Sequence, residues 1–298
     1  MTPGAESDRS LPPHPPDTQV VVLPPVDVGA PDPEHAGRTV LFASALVLLV
    51  VSVIPPVGPW ARRYEFVEAI QFCFLAVVIP ALLVTGAPWR RLGLTTRHPR
   101  PHDDGGVPAA GAQPLRGADR LAAARKRHPE AWRAVAFAAL FLLGVVLWRI
   151  PLTVDALHRH PWLVAVEAVT LVAVGIGLWL ELVESPPFTP RLSRPNRIAL
   201  AAVSMWAIWV LAYLVGLSHA SWFTAYVHHP GSGFSLSADQ QLTTGMMWFI
   251  SACAFIPVVY WNLIRWLQSE EDPDEEMQKM MRTERIRGRT ADGGQPGG

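Results

Sequence analysis

The sequence predicts an all-α fold, a polytopic bundle of about six transmembrane helices with both termini on the cytoplasmic side. Three observations predict it. Half of the 298 residues are apolar and only 17% are charged, a balance that belongs to bilayer proteins. The apolar residues gather into six runs, each near the roughly 20 residues a helix needs to cross about 30 Å of hydrocarbon. The 25 Lys and Arg residues divide 21 to 4 between the two sets of loops that six spans create. Runs of this length cross as helices because lipid gives the backbone no hydrogen-bond partner.

The elements follow in order along the chain. Residues 1 to 38 hold nine prolines and few aromatics, so they read as a disordered cytoplasmic tail. The bundle occupies residues 39 to 268. Its first span, Val40 to Val57, is dense in Leu and Val and ends in Pro55-Pro56. The second is Phe66 to Ala87. A loop over residues 89 to 131 follows, with a flexible Pro- and Gly-rich insertion from Thr95 to Ala118 and a basic Arg125-Lys126-Arg127 block. The third span, Trp132 to Ile150, is the shortest in effect, since the stretch between Arg133 and Arg149 rises only about 22 Å. Either both arginines snorkel to the interfaces or Arg149 meets an anion inside the bundle. Pro161 to Val183, Ile198 to Leu217 and Gln241 to Trp266 complete the set, and residues 269 to 298 form a partly disordered acidic and basic tail. Six of the twelve tryptophans (Trp60, Trp89, Trp132, Trp162, Trp222, Trp266) fall at or near span ends, where an aromatic belt is expected.

The basic residues set the orientation. The N-terminal tail, the loop after the second span, the loop after the fourth and the C-terminal tail carry 21 of them, whereas the other side has Arg62, Arg63, Arg149 and Arg159. Both termini are therefore expected inside, although the net charge is zero. The basic loop reads as an orientation and anionic-lipid feature. No repeat, dinucleotide fingerprint or phosphate loop is present, and no nucleic-acid partner is expected. The two cysteines, Cys73 and Cys253, lie deep in apolar runs. They read as inert small hydrophobes, with soft Cu(I) ligation by Cys73, Cys253 and Met246 or Met247 as the alternative.

Polar residues concentrate toward the outer half. Glu65 and Glu68 are a turn apart at the outer end of the second span, with Gln71 a turn deeper. In the fourth span His160 and Glu167 are seven residues apart and share a helical face. The next outer loop adds His219, His228, His229 and Asp239. A carboxylate within hydrocarbon is a functional hypothesis by default. One reading pairs Arg149 with Glu167 or Glu68 as a structural ion pair. The other makes Glu68, Gln71, His160 and Glu167 a polar cavity able to receive a metal cation such as copper. Ser237 to Gln240 has capping-box spacing, with Asp239 favouring the helix dipole, so this block is expected to start the sixth helix.

The segment from Ala238 to Asp272 resembles the last-helix signature of CtaG-type cytochrome c oxidase assembly factors. The matching residues are Asp239, Gln240, Gln241, Gly245, Met247, Trp248, Arg265, Trp266 and Leu267. Pro80 to Pro88 is similar to the family's Pro-Leu-Leu and Gly-Ala-Pro stretch, and Glu167, Gly175 and Trp179 to its Glu-His helix. The likeness runs from about Tyr64 to Glu271. Where the family pattern has a histidine pair four apart this chain has Val67 and Gln71, and Ala168 replaces the histidine after the glutamate. Members often have a seventh span; six are found here.

The resemblance implies a multi-pass protein of a bacterial cytoplasmic membrane that assists maturation of a haem-copper oxidase. Copper delivery on the outer side would be its particular step, and an oxidase subunit or a metallochaperone its partner, alongside the lipid bilayer. No catalysis is expected, because no nucleophile is paired with a base and no clean metal cluster is present. A small-solute or ion transporter, or a ligand-free membrane scaffold, are the competing readings.

Overall fold

The computed structural model describes residues 33–55, 57–90, 92, 94, 117–218, 222–226, 235–268, 277 and 281–282. The Pro-rich tail up to residue 32, the insertion at 95–116, His219, His228 and His229, and most of the C-terminal tail lie outside the described residues.

The fold is all-helical, and six helices are long and apolar enough to cross a membrane. The first span is α1 (Pro33–Val53), which stops before Pro55, and a short α2 (Val57–Ala61) turns over its end. The second span is built from α3 (Glu65–Cys73), a π-helical turn over Phe74–Val78, and α4 (Ile79–Gly86). After α5 (Gly117–Arg127) come α6 (Ala131–Arg149), the short α7 (Pro151–Arg159), α8 (Leu163–Leu182), α9 (Arg194–Leu217) and α10 (Leu236–Leu267). A 3-10 turn, Thr224–Tyr226, sits between α9 and α10. The sixth helix begins five residues earlier than the apolar run, because the polar block at Asp239 forms its first turns rather than preceding it.

The second span is the axis of the bundle. It buries 61% of its length inside the protein, against 11–33% for the other five. It packs on α1, α8 and α10, with α6 against α8 and α9 against α10. Its irregularity has a local cause. Pro80 has no N–H and its ring crowds the carbonyl four residues back, that of Ala76, and the π turn immediately before it absorbs the mismatch. Gly175 of α8 fits against this spot, since a Cβ there would lie 2.6 Å from the Ala76 oxygen and 2.5 Å from Pro80 Cγ. Trp179 stacks on Phe255 in the core with ring centroids 5.4 Å apart, and Trp209 stacks on the half-exposed Trp248 at 4.5 Å.

Large apolar side chains cover the outside, among them Leu143, Val169 and Tyr213. An outer surface of this kind is stable only against lipid. The chain is thus a multi-pass membrane protein. Trp60, Trp132 and Trp162 are exposed at span ends as an aromatic belt requires. Trp89 departs from the expectation: it folds inward to donate to Ser185 Oγ at 2.9 Å and lies edge-on to Phe188.

The end of the bundle where both chain ends emerge is held by Glu181, which is fully buried at the base of α8. Arg191 reaches it at 2.5 Å and Arg125 at 3.0 Å, so the basic block of α5 is a structural anchor as well as a source of surface charge. Burial lowers the Arg125 guanidinium from its ordinary value while Glu181 opposes the shift.

Gly175→Ala is expected to lose about 1–3 kcal/mol of stability, because the new methyl meets backbone and a proline ring that cannot give way. Thermal unfolding in detergent checks this, and an unchanged midpoint would refute the packing account.

Candidate functional site

At the far end, opposite the chain termini, the Asp-Gln block joins three helices. The N-cap of α10 is Ser235, whose Oγ accepts from the Ala238 amide at 3.2 Å, and not Ser237. The expected capping box is therefore displaced by two residues, and Asp239 and Gln240 are turned inward and buried. The Asp239 carboxylate accepts from the Glu65 amide at 2.9 Å and the Phe66 amide at 3.0 Å. These are first-turn donors of α3 that no helical carbonyl can reach. Gln240 donates to the Val215 carbonyl and, at 3.3 Å, to that of Ser218, which satisfies the open carbonyl end of α9. Gln241 points outward, and Trp248 stacks on Trp209 at the lipid face.

Below this buckle lies Arg149, the last residue of α6, with 1% of its surface exposed. It resolves the question raised by the short third span: the arginine meets an anion inside the bundle. That anion is Glu68, not Glu167 as the expected pair had it. Its other terminal nitrogen lies 3.5 Å from the Met247 sulfur. The guanidinium lies over the rings of both Phe72 and Phe223 at 5.2 Å each, two cation–π contacts in a water-poor site. Met247 of the family signature is thus a contact of the buried arginine.

Glu167 has no ion pair among the described residues. It is 4% exposed on α8, and its Oε1 has no hydrogen-bond partner among the described residues. It lines a cavity of about 150 Å³ together with Glu68, Gln71, His158 and Arg62, walled by Val53, Val164 and Ala165 among others. Of the four residues expected to bind metal, the structure brings Glu68, Gln71 and Glu167 to this cavity and leaves His160 out. The physical reason is a break in the helix. His160 ends α7 and α8 begins at Leu163, so the seven-residue spacing to Glu167 does not place them on one face. Gln71 spends its amide nitrogen on the Ser52 carbonyl at 2.7 Å. Among the described residues no group of three or more His, Cys, Asp and Glu is placed to hold a metal ion. Cys73 is buried and Cys253 exposed, so they do not form a shared soft site.

Three residues of the site were not singled out from sequence in these roles. His158 lines the cavity, its Nδ1 3.0 Å from the Val154 carbonyl and its ring edge-on to Tyr226. Tyr226 donates to the Ala61 carbonyl at 3.0 Å. Burial pushes its phenol well above the ordinary value, with Glu68 adding and Arg149 opposing, so it stays a neutral donor. Asp155 fixes the turn that carries it, accepting from Thr224 Oγ1 at 2.7 Å and the Ala225 amide at 3.0 Å. No motif announces these; only the Asp155 to Thr224 pairing, a helix residue with a loop residue, could have been guessed.

A family model described as cytochrome c oxidase caa3 assembly factor matches residues 26–269, most of the chain. Comparisons with curated proteins and with solved structures return no match.

Two outcomes test the geometry. Arg149→Met should destabilise by about 3–5 kcal/mol, since it strands the Glu68 carboxylate in the core, whereas adding Glu68→Leu should recover most of the loss. Denaturant unfolding of the two single variants and the double supplies the cycle, and additive losses would contradict the pairing. Asp239→Ala should cost about 1 kcal/mol through the uncapped start of α3, with Asp239→Asn retaining part of it.

Proposed function

The chain belongs to the cytochrome c oxidase caa3 assembly factor family, and from that premise we propose that it assists maturation of a haem-copper oxidase by engaging a subunit of that enzyme at the far end of its bundle. On the charge rule this end faces out of a bacterial cytoplasmic membrane. The observation that carries the reading is the cavity there, which presents Glu167 and Glu68 with unpartnered carboxylate oxygens beneath a rim of Arg62 and His158. A buried carboxyl with an open acceptor beside a cavity is suited to receive a donor from a bound partner. No reaction is assigned, because a helper that binds a maturing subunit needs geometry and not bond chemistry.

Delivery of copper through Glu68, Gln71, His160 and Glu167 has less support than the assembly role itself. The donors are mostly hard oxygens, which suit Cu(II) and not Cu(I); His160 is exposed at the break between α7 and α8, outside the cavity, and the Gln71 amide nitrogen is bonded to the Ser52 carbonyl. Copper on this reading is cargo carried by a partner, and the chain contributes the docking end. A transporter would need a polar route to the opposite side. Along α8 the buried residues between Glu167 and Glu181 are Ala168, Leu171, Gly175, Gly177, Leu178 and Trp179, and apart from the Trp179 indole N–H their side chains offer none.

Glu167→Gln is the discriminating variant, since Glu68→Gln would also strand Arg149. Membranes from cells carrying it should show severalfold lower haem-copper oxidase activity at normal levels of the assembly protein. Wild-type activity would instead favour a ligand-free scaffold. Metal analysis of the purified chain under reducing conditions should find copper well below one equivalent, and a full equivalent lost in Glu167→Gln would restore the copper reading.

A further inference from the structure

We propose that the far-end cavity is a binding site for a primary ammonium group, carried by the phosphoethanolamine headgroup of an adjacent lipid. Three buried polar atoms of cavity-lining residues lack a hydrogen-bond partner among the described residues: Glu68 Oε1, Glu167 Oε1 and His158 Nε2. All three are acceptors. His158 Nδ1 faces the Val154 carbonyl at 3.0 Å, and a carbonyl can only accept, so Nδ1 carries a hydrogen and the tautomer this contact selects leaves the Nε2 lone pair open. The ligand must therefore be a donor without acceptors at that end. An –NH₃⁺ group has three N–H donors and no acceptor, which matches the vacant positions in number and in kind.

Charge agrees with such a ligand. At the buried end of the cavity lie Glu68, already paired with Arg149, and Glu167, while the cation Arg62 is exposed at its mouth. A donor cation suits that acidic buried end. A metal ion would have to draw these donors to within about 2.0–2.6 Å of one point, and no group of three such side chains among the described residues is so placed. Ammonium, with longer N–H···O contacts of about 2.7–2.9 Å, spans a wider set of acceptors.

The depth and the rim point to a lipid as the source. Trp60 and Trp162, exposed at 54% and 66%, adjoin the cavity-lining residues Ala61 and Pro161. Exposed tryptophans of this kind mark the headgroup level. Arg62 lines both this cavity and a wider open groove of about 490 Å³ that it shares with His158 and Arg159. An arginine beside an acceptor-lined pocket suits a phosphate two carbons from an amine. Val53, Val164 and Ala165 complete an apolar flank.

The test uses the full chain in nanodiscs of phosphatidylethanolamine with phosphatidylglycerol, and in matched discs of phosphatidylcholine with phosphatidylglycerol, followed by native mass spectrometry of the retained lipid. Retention of phosphatidylethanolamine over phosphatidylcholine is expected, because a quaternary ammonium has no N–H to give. Glu167→Gln should weaken it about tenfold, the worth of one charge-assisted hydrogen bond. Arg62→Gln should weaken it less, and Glu184→Gln at the opposite end not at all. Equal retention of the two lipids in the wild-type chain overturns the proposal, whether or not any variant folds. So does binding of free ethanolamine without lipid selectivity, which would leave the ammonium pocket but remove the lipid, and so does a stoichiometric metal released by Glu167→Gln. The readout is headgroup selectivity, so it stands or falls apart from oxidase maturation.

Discussion

The pairing of Arg149 with Glu68 constrains everything at the far end of this bundle. A guanidinium with 1% of its surface exposed cannot stay in a lipid-embedded core without an anion, and its partner lies 81 residues earlier in the chain, on the axial second span. The end of α6 is thereby tied to the start of α3. The rings of Phe72 and Phe223 both lie against the cation, and Met247 comes in from α10. Four separate segments are thus located by one charge. The loops above it inherit the arrangement, since Tyr226 follows Phe223 in the chain and pins the turn to Ala61.

Helix ends supply the second layer of order. A bundle in lipid must satisfy the open amides and carbonyls at each terminus from within. Asp239 and Gln240 do so for two different neighbours at once, closing the start of α3 and the end of α9. This gives a physical reason for the Asp-Gln part of the family signature that needs no ligand. Gly245 of the same signature is unlike Gly175: a Cβ there would meet nothing within 4 Å, and its packing in this chain explains nothing about why glycine is present.

The spans were legible because the bilayer imposes length and apolarity on every crossing, and those leave a mark in composition that tertiary contacts cannot override. Glu68 and Glu167 were legible for the same reason, as carboxylates where hydrocarbon should be. Their partners were not. Which of the two faces Arg149 depends on the rotation of α3 about its axis, and the π turn at Phe74–Val78 and the proline after it lie between that residue and the rest of the span. His158 and not His160 lines the cavity because of a helix break three residues wide, His160 to Trp162, which a periodic reading of the chain passes over. Ser235 was missed as the cap because Ser237 offered the same chemistry one half-turn later, and only the inward pull on Asp239 decides between them.

The two buried glutamates of α8 show how structural and functional charges can be told apart in one helix. Glu181 is fully buried, yet Arg191 engages both its oxygens, through the backbone amide as well as the guanidinium, and Arg125 adds a second cation. Glu167, three to four turns away, is buried to nearly the same degree and, among the described residues, has neither an ion pair nor a donor for Oε1. Both glutamates bear the same desolvation cost, and only one is compensated by the fold. Glu167 faces the cavity and Glu181 faces its arginines, so of the two it is Glu167 that keeps an acceptor open to a ligand.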